Sequence, residues 1–258
     1  MIELRSHNTT AGIEKGELIS FVADGHQFIH QKGSPGWGSS DTEMFPIIGP
    51  LDQVGFSVKT PKGDAFQDQH GLLRRMPYGM VSLGGNSAKF IKEYKAGSPI
   101  RNSKYPEKST LPLMYWRYDF VFEKSFSLKE DSLEITFRIN GEQGMPFMLG
   151  YHPAFKLYSK NPIIRTMDRK IPLRKVLSAG SRALQVADCN SITLRDTKEL
   201  TLETEGFGHF MCWTEVKNMV CVEPITFYPY DVEQQELHKG FRTLEGTAEF
   251  KVSLMPKI

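Results

Sequence analysis

An all-β fold, a large and many-stranded antiparallel sandwich, is predicted for this 258-residue chain from three observations. The dominant hydrophobic period is two, the spacing that puts alternate strand residues on one face. The 22 Gly and 15 Pro are scattered along the chain and leave few windows for a long helix. No linker, repeat or low-complexity block interrupts the pattern, so residues 1–258 read as a single domain, at a length all-β sandwiches reach undivided. Period two alone fits a closed barrel as well as a sandwich.

The elements follow in order. The N-terminal part reads as strands, with Asp24-Gly25 as a hairpin dipeptide. Residues 33–55 are rich in Gly, Pro and Ser but carry Trp37 and the apolar run Met44-Phe45-Pro46-Ile47-Ile48; a packed loop that lines something is expected there. Phe120, Phe122, Phe126 and Leu128 alternate with smaller or polar neighbours, and after Lys129-Glu130-Asp131 so do Leu133, Ile135, Phe137 and Ile139, which makes a hairpin with one buried face. Ile192 and Leu194, then Leu200 and Leu202, form a shorter hairpin around Arg195-Asp196-Thr197. The best helical candidate, residues 231–237, allows a turn or two. Phe250, Val252 and Leu254 close the chain as a strand.

Composition narrows the function classes. The 32 Lys and Arg against 30 Asp and Glu give a net charge of +2, with no basic stripe or tail, so nucleic acid is not an expected partner. No apolar run approaches the roughly 20 residues of a membrane span. Cys189, Cys212 and Cys221 form neither a CxxC pair nor an even disulfide framework, and Cys212 and Cys221 sit among apolar residues as buried thiols. With a polar N-terminus lacking an apolar signal segment, this predicts a cytoplasmic protein.

Two stretches set a proton-transfer residue directly before a proline: Gly150-Tyr151-His152-Pro153-Ala154-Phe155 and Val220-Cys221-Val222-Glu223-Pro224-Ile225. Proline pushes the preceding residue toward extended geometry and is confined to strand ends, edges and bulges. His152 and Glu223 are therefore expected on stiff backbone where strands leave a sheet, as the two halves of an acid/base pair. Taken singly, each reads equally as a strand-end cap. His70, in Gln67-Asp68-Gln69-His70-Gly71, sits in a loop and is free either to face a ligand or to idle in solvent. Trp213, Phe155 and Tyr151 are aromatics that either stack on a ligand or fill the core. His26 and His30 would share one strand face about 13 Å apart, too far for one metal ion. No HExxH, Walker loop, GxGxxG or GxSxG occurs, so neither a metal nor a cofactor is expected.

Taken in order, Phe45-Pro46-Ile47-Ile48-Gly49, Gln69-His70-Gly71-Leu72-Leu73-Arg74, Gly150-Tyr151-His152-Pro153-Ala154-Phe155 and Val222-Glu223-Pro224 resemble the signature stretches of the aldose 1-epimerases, the galactose mutarotase-like family. The resemblance spans nearly the whole chain, including Leu237-His238-Lys239-Gly240, and is nearest to the shorter bacterial mutarotase-like proteins and hexose-6-phosphate epimerases. It implies a large antiparallel β-supersandwich, a small-molecule sugar as partner, Glu223 as general base, His152 as general acid, and His70 as a second histidine near the ring oxygen. Gln69 and Arg74 match substrate-contacting positions of the phosphosugar branch. An assisting acid of some members corresponds to Asp188, or is replaced by Arg182.

The chain departs from the pattern at Pro50, at Gly38-Ser39-Ser40-Asp41 and at Ile225, where relatives often carry Arg, a basic residue and Trp. A mouth less cationic than in phosphosugar relatives is expected, with Asp41 and Glu43 adding negative charge and Arg74 pairing with an acid to orient the 69–70 loop. That favours a neutral aldose; the alternatives are an epimerase for a phosphorylated hexose and a non-catalytic carbohydrate-binding protein. The chemistry needs opposite protonation states in the pair, reached by a modest upward shift of the histidine beside carboxylate charge.

Overall fold

The structure, a computed structural model, describes residues 1–257. Two antiparallel sheets dominate it. One has nine strands, whose central members are Thr247–Lys257, Leu133–Gly141, Phe120–Leu128 and Ser87–Tyr94. The other, with six, is built around Met219–Ile225, flanked by His209–Trp213 on one side and by Gly150–Tyr151 and Ala154–Lys156 on the other. A four-stranded N-terminal sheet, Ile2 to Gln27, completes the set. The all-β reading holds, and aromatic packing across the two main sheets makes it a sandwich: Phe137 meets Tyr151 with ring centroids 5.0 Å apart, and Phe45 meets Phe120 at 4.9 Å and Phe122 at 5.4 Å.

The expected hairpins form where the alternation placed them. Phe120 pairs with Gly141 and Leu128 with Leu133, and every second residue of Phe120–Leu128 is buried. Each phenylalanine so buried contributes about 1.5–3 kcal/mol of transfer free energy. Asp24 and Gly25 both have positive φ, 44° and 75°, as a two-residue type I′ connection requires. Ser191–Arg195 pairs with Glu199–Glu205, the shorter hairpin.

The helical expectation is corrected. Residues 229–240 hold only the 3₁₀ turns Pro229–Asp231 and Gln234–Gly240, while the α-helix among the described residues is Leu173–Ala179. Its apolar residues Leu173, Val176 and Leu177 have helical spacing and face the core. Pro172 precedes it and Gly180, at φ 59°, ends it. No helix among the described residues is long and apolar enough to cross a membrane.

Lys124 and Lys92 occupy inward positions, between Phe122 and Phe126 and between Phe90 and Tyr94. Burial of a lysine requires a partner. Lys124 Nζ lies 2.8 Å from Asp41 Oδ2 and 2.7 Å from Glu43 Oε1, and Lys92 Nζ lies 3.6 Å from Glu43 Oε2 and donates to the Leu73 carbonyl at 3.0 Å. Tyr151 Oη donates to Asp41 Oδ2 at 2.8 Å. Asp41 and Glu43 are thus buried between the sheets, 4 % and 1 % exposed, and are not charges at a mouth as expected from the sequence.

Candidate active site

The 151–154 break positions His152. Gly150 and Ala154 both pair with Met219–Ile225, but the residues between them step out of register. His152 instead exchanges two backbone hydrogen bonds with Thr42: its N–H donates to the Thr42 carbonyl at 2.8 Å, and the Thr42 N–H donates back at 3.2 Å. Pro153 therefore marks an interruption inside the sheet. Glu223 was expected at a strand end and is not there. It lies within Met219–Ile225, a fully buried strand, paired with Met211. Pro224, with no N–H to donate, sits opposite the break in the partner strand.

The interruption brings the acid and base together. His152 Nε2 is 3.5 Å from Glu223 Oε1, and the two side chains are 8 % and 2 % exposed. His70 packs on His152 with ring centroids 5.6 Å apart. Its loop is fastened by backbone contacts to the Phe45-Pro46-Ile47-Ile48-Gly49 stretch: Phe45 N–H donates to the His70 carbonyl at 3.2 Å, and Gly49 N–H to the Gln69 carbonyl at 2.7 Å. Gly71, at φ 73°, permits this approach, since a Cβ there would run into the Phe45 carbonyl. Buried Asp68 accepts from the His70 N–H at 2.8 Å and forms an ion pair with Arg74, the orienting contact expected of Arg74.

Gln69, His70, Arg74, His152 and Glu223 all line one cavity of about 530 Å³, within the ~300–1,000 Å³ range of small-molecule sites. Trp37 forms one wall, 4.4 Å from the His152 ring between centroids, and Trp213 another at 6.2 Å. The loop at residues 33–55 thus lines a cavity, as expected. His30, one of the pair dismissed as metal ligands, holds it through Nε2, 2.9 Å from the Trp37 carbonyl oxygen. Phe155, offered as a stacking wall, is fully buried, and so is Tyr151. Phe155 is one residue out of phase with Ala154, which packs with Cys221, Trp37 and Trp213 on the site face.

Three basic residues unforeseen as a group complete the wall: Lys104, Lys108 and Arg182. With Arg74 they outnumber Asp52 and Glu215, the acids besides Glu223, so the cavity wall carries an excess of basic residues. Their signal in the sequence was slight. Arg182 follows the unforeseen helix, and Lys104 and Lys108 lie in a polar loop that only tertiary folding brings to the cavity. Asp188 is exposed beside His209, 4.0 Å between Oδ1 and Nδ1, and is not among the lining residues.

The protonation of the pair also differs from expectation. Burial pushes the Glu223 carboxyl well above its usual range. Burial, aided by the Arg74 guanidinium, lowers His152 to about 3 instead of raising it. His70 is likewise held well below its ordinary value by burial and then by Arg74. Burial thus disfavours the charged form of both groups at once. Glu223 Oε1 and His152 Nδ1 are buried without hydrogen-bond partners, polar atoms that a ligand would satisfy.

The architecture is that of the galactose mutarotase-like proteins. The chain matches a galactose mutarotase-like protein from Lactobacillus casei at a TM-score of 0.77 and 18 % identity, over 100 % of this chain and 99 % of that one. A galactose mutarotase related enzyme from Lactobacillus acidophilus matches at 0.75 and 17 %, over 100 % and 97 %. An aldose epimerase homologue from C. elegans matches at 0.59 and 9 %, over 99 % and 98 %. No protein-family model matches the chain, and no curated protein matches it in sequence.

Proposed function

We propose that the protein is an aldose 1-epimerase, interconverting the α and β anomers of a hexose or related sugar. The observation that carries this reading is the 3.5 Å approach of His152 Nε2 to Glu223 Oε1 in the wall of an aromatic-sided cavity. Mutarotation moves one proton off the anomeric hydroxyl and places one on the ring oxygen, and the pair supplies one acceptor and one donor. Glu223 takes the hydroxyl proton; His152 protonates the ring oxygen, with His70 beside it. The C1–O5 bond opens to the aldehyde, C1–C2 rotates, and the ring closes on the other face. Substrate binding sets the charged state. A sugar hydroxyl donating to Glu223 favours its ionised form, and a ring oxygen accepting from His152 favours its protonated form. The cytoplasm is the compartment we propose, on the cysteine usage.

A phosphorylated sugar is the second substrate reading, favoured by Arg74, Lys104, Lys108 and Arg182 around the cavity. The test is the optical rotation of freshly dissolved α-glucose, α-galactose and α-glucose 6-phosphate, with and without protein. Acceleration of one of them, lost by about 10²–10⁴-fold in Glu223→Gln, is expected for a proton-transfer group. No acceleration of any aldose, with sugar binding retained, would identify a non-catalytic binding protein.

A further inference from the structure

Cys221 is a thiol the mutarotation does not use, and it stands directly beside the acid/base pair. It lies two residues before Glu223 on the same strand, so both side chains project from one face. Opposite it is Ala154, two residues beyond His152. One ligand atom from each of His152, Cys221 and Glu223 falls within 4.8 Å of the other two. All three residues are more than nine-tenths buried: 6 %, 0 % and 2 % exposed. Glu223 Oε1 has no hydrogen-bond partner, although its carboxylate is aimed at the cavity.

We propose that His152, Cys221 and Glu223 form a binding site for a thiophilic divalent cation of the zinc type. One nitrogen, one sulfur and one oxygen is a three-ligand set such ions accept, with bonds of about 2.0–2.1, 2.3 and 2.0–2.2 Å. Around a tetrahedral ion, atoms at those distances sit roughly 3.3–3.8 Å from each other. The His152–Glu223 separation of 3.5 Å already meets this, and Cys221 has its ligand atom within 4.8 Å of both. The charge balances as a buried site demands. The ion's two positive charges meet one thiolate and one carboxylate, with a neutral imidazole; the thiol proton, and any on the carboxyl, pass to solvent. The fourth position faces the cavity and takes water. The spacing escapes motif searches because His152 lies far from Cys221 in sequence and is brought to it only by sheet pairing.

The site uses both groups of the proposed acid/base pair, so, resting on that reading, the cation and the sugar compete. Binding itself is read without sugar. Titration of the full chain with Co²⁺ is expected to give a thiolate charge-transfer band in the near ultraviolet, saturating at one equivalent. Cys221→Ser should abolish the band, and Cys212→Ser, altering the neighbouring buried thiol, should keep it. Calorimetry with Zn²⁺ should show affinity at least about ten-fold weaker in Cys221→Ser and in Glu223→Gln, since loss of even an outer partner weakens metal binding about 10–100-fold. Near-ultraviolet circular dichroism verifies that each variant is folded; if Cys221→Ser is not, Glu223→Gln decides. No band in the wild type, a band that survives Cys221→Ser, or equal Zn²⁺ affinity in wild type and Glu223→Gln overturns the site. A protein that binds Zn²⁺ as described but mutarotates no aldose counts against the proposed activity alone.

Discussion

Arg74 lines the cavity, but its guanidinium is already committed to Asp68, which is fully buried and also holds the His70 N–H. Removing either partner leaves the other charge without compensation. For a buried pair the loss is about 3–5 kcal/mol, and for this pair less, because the Arg74 side chain is still 13 % exposed. We expect Arg74→Ala and Asp68→Asn both to lower the melting temperature and both to slow mutarotation of a neutral aldose, by displacing His70. If Arg74 acted on substrate phosphate alone, Asp68→Asn would leave neutral-sugar turnover untouched; differential scanning calorimetry with rates on glucose separates the two. At this scale the sequence was informative where chemistry is local. His152 and Glu223 stand out because a proline follows each. Their pKa directions do not, because burial, which reverses the expected histidine shift, is a property of the folded surroundings.

At the scale of elements, the segment that aligns His152 is itself held by the buried charges. Glu43 pairs in register with Tyr151, and Thr42 exchanges hydrogen bonds with His152. Lys124, from the nine-stranded sheet, grips Asp41 and Glu43 on either side of Thr42. Lys92 ties the same cluster to the Leu73 carbonyl, beside the His70 loop. One charged cluster thus braces both histidine-bearing segments against the opposite sheet. Lys124→Met keeps the bulk and removes the charge, leaving buried Asp41 without its cation and Glu43 with Lys92 alone. A loss of about 3–5 kcal/mol is expected near pH 8. The sign of its pH dependence follows. Burial already raises Asp41 to about 6 with Lys124 present, and loss of the ammonium raises it further, so the folded state takes up protons first as pH falls. The penalty should shrink from pH 8 to pH 5 and recover partly in Lys124→Met/Asp41→Asn. Denaturant melts at both pH values would refute the bracing role if the penalty were equal or larger at pH 5. The cluster had a trace in the sequence: Phe122-x-Lys124-x-Phe126 and Phe90-x-Lys92-x-Tyr94 put lysines in phase with core residues. The acids that answer them sit about 50 to 80 positions away, in a stretch whose own periodicity is too short to show which way it faces.

On the scale of the whole molecule, a chain of net charge +2 concentrates Arg74, Lys104, Lys108 and Arg182 around one opening. That asymmetry is invisible in composition, because the chain is nearly neutral and its loops acquire common surroundings only on folding; the strand pattern, repeated along the chain, was legible because each strand carries its own alternation. Clustered charge of one sign draws an oppositely charged ligand, and does so less as salt rises. Among these groups Lys104 is brought down to about 8 by burial and by the Arg74 charge. It is therefore charged at pH 7 and largely neutral at pH 9. If the cavity takes a phosphorylated sugar, KM for glucose 6-phosphate should rise roughly ten-fold between pH 7 and pH 9, about 1.4 kcal/mol for one lost charge contact. KM for glucose should stay level over the same range, so a general effect of pH on the acid/base pair is separated out. Lys104→Arg, which remains charged throughout, should flatten the glucose 6-phosphate profile, and Lys104→Ala should give the high KM at both pH values. Raising ionic strength at pH 7 should move the wild type toward the alanine variant. A wild-type KM for the phosphorylated sugar that is flat from pH 7 to pH 9 and indifferent to salt would leave the basic rim without a role in binding, and the substrate would be a neutral aldose after all.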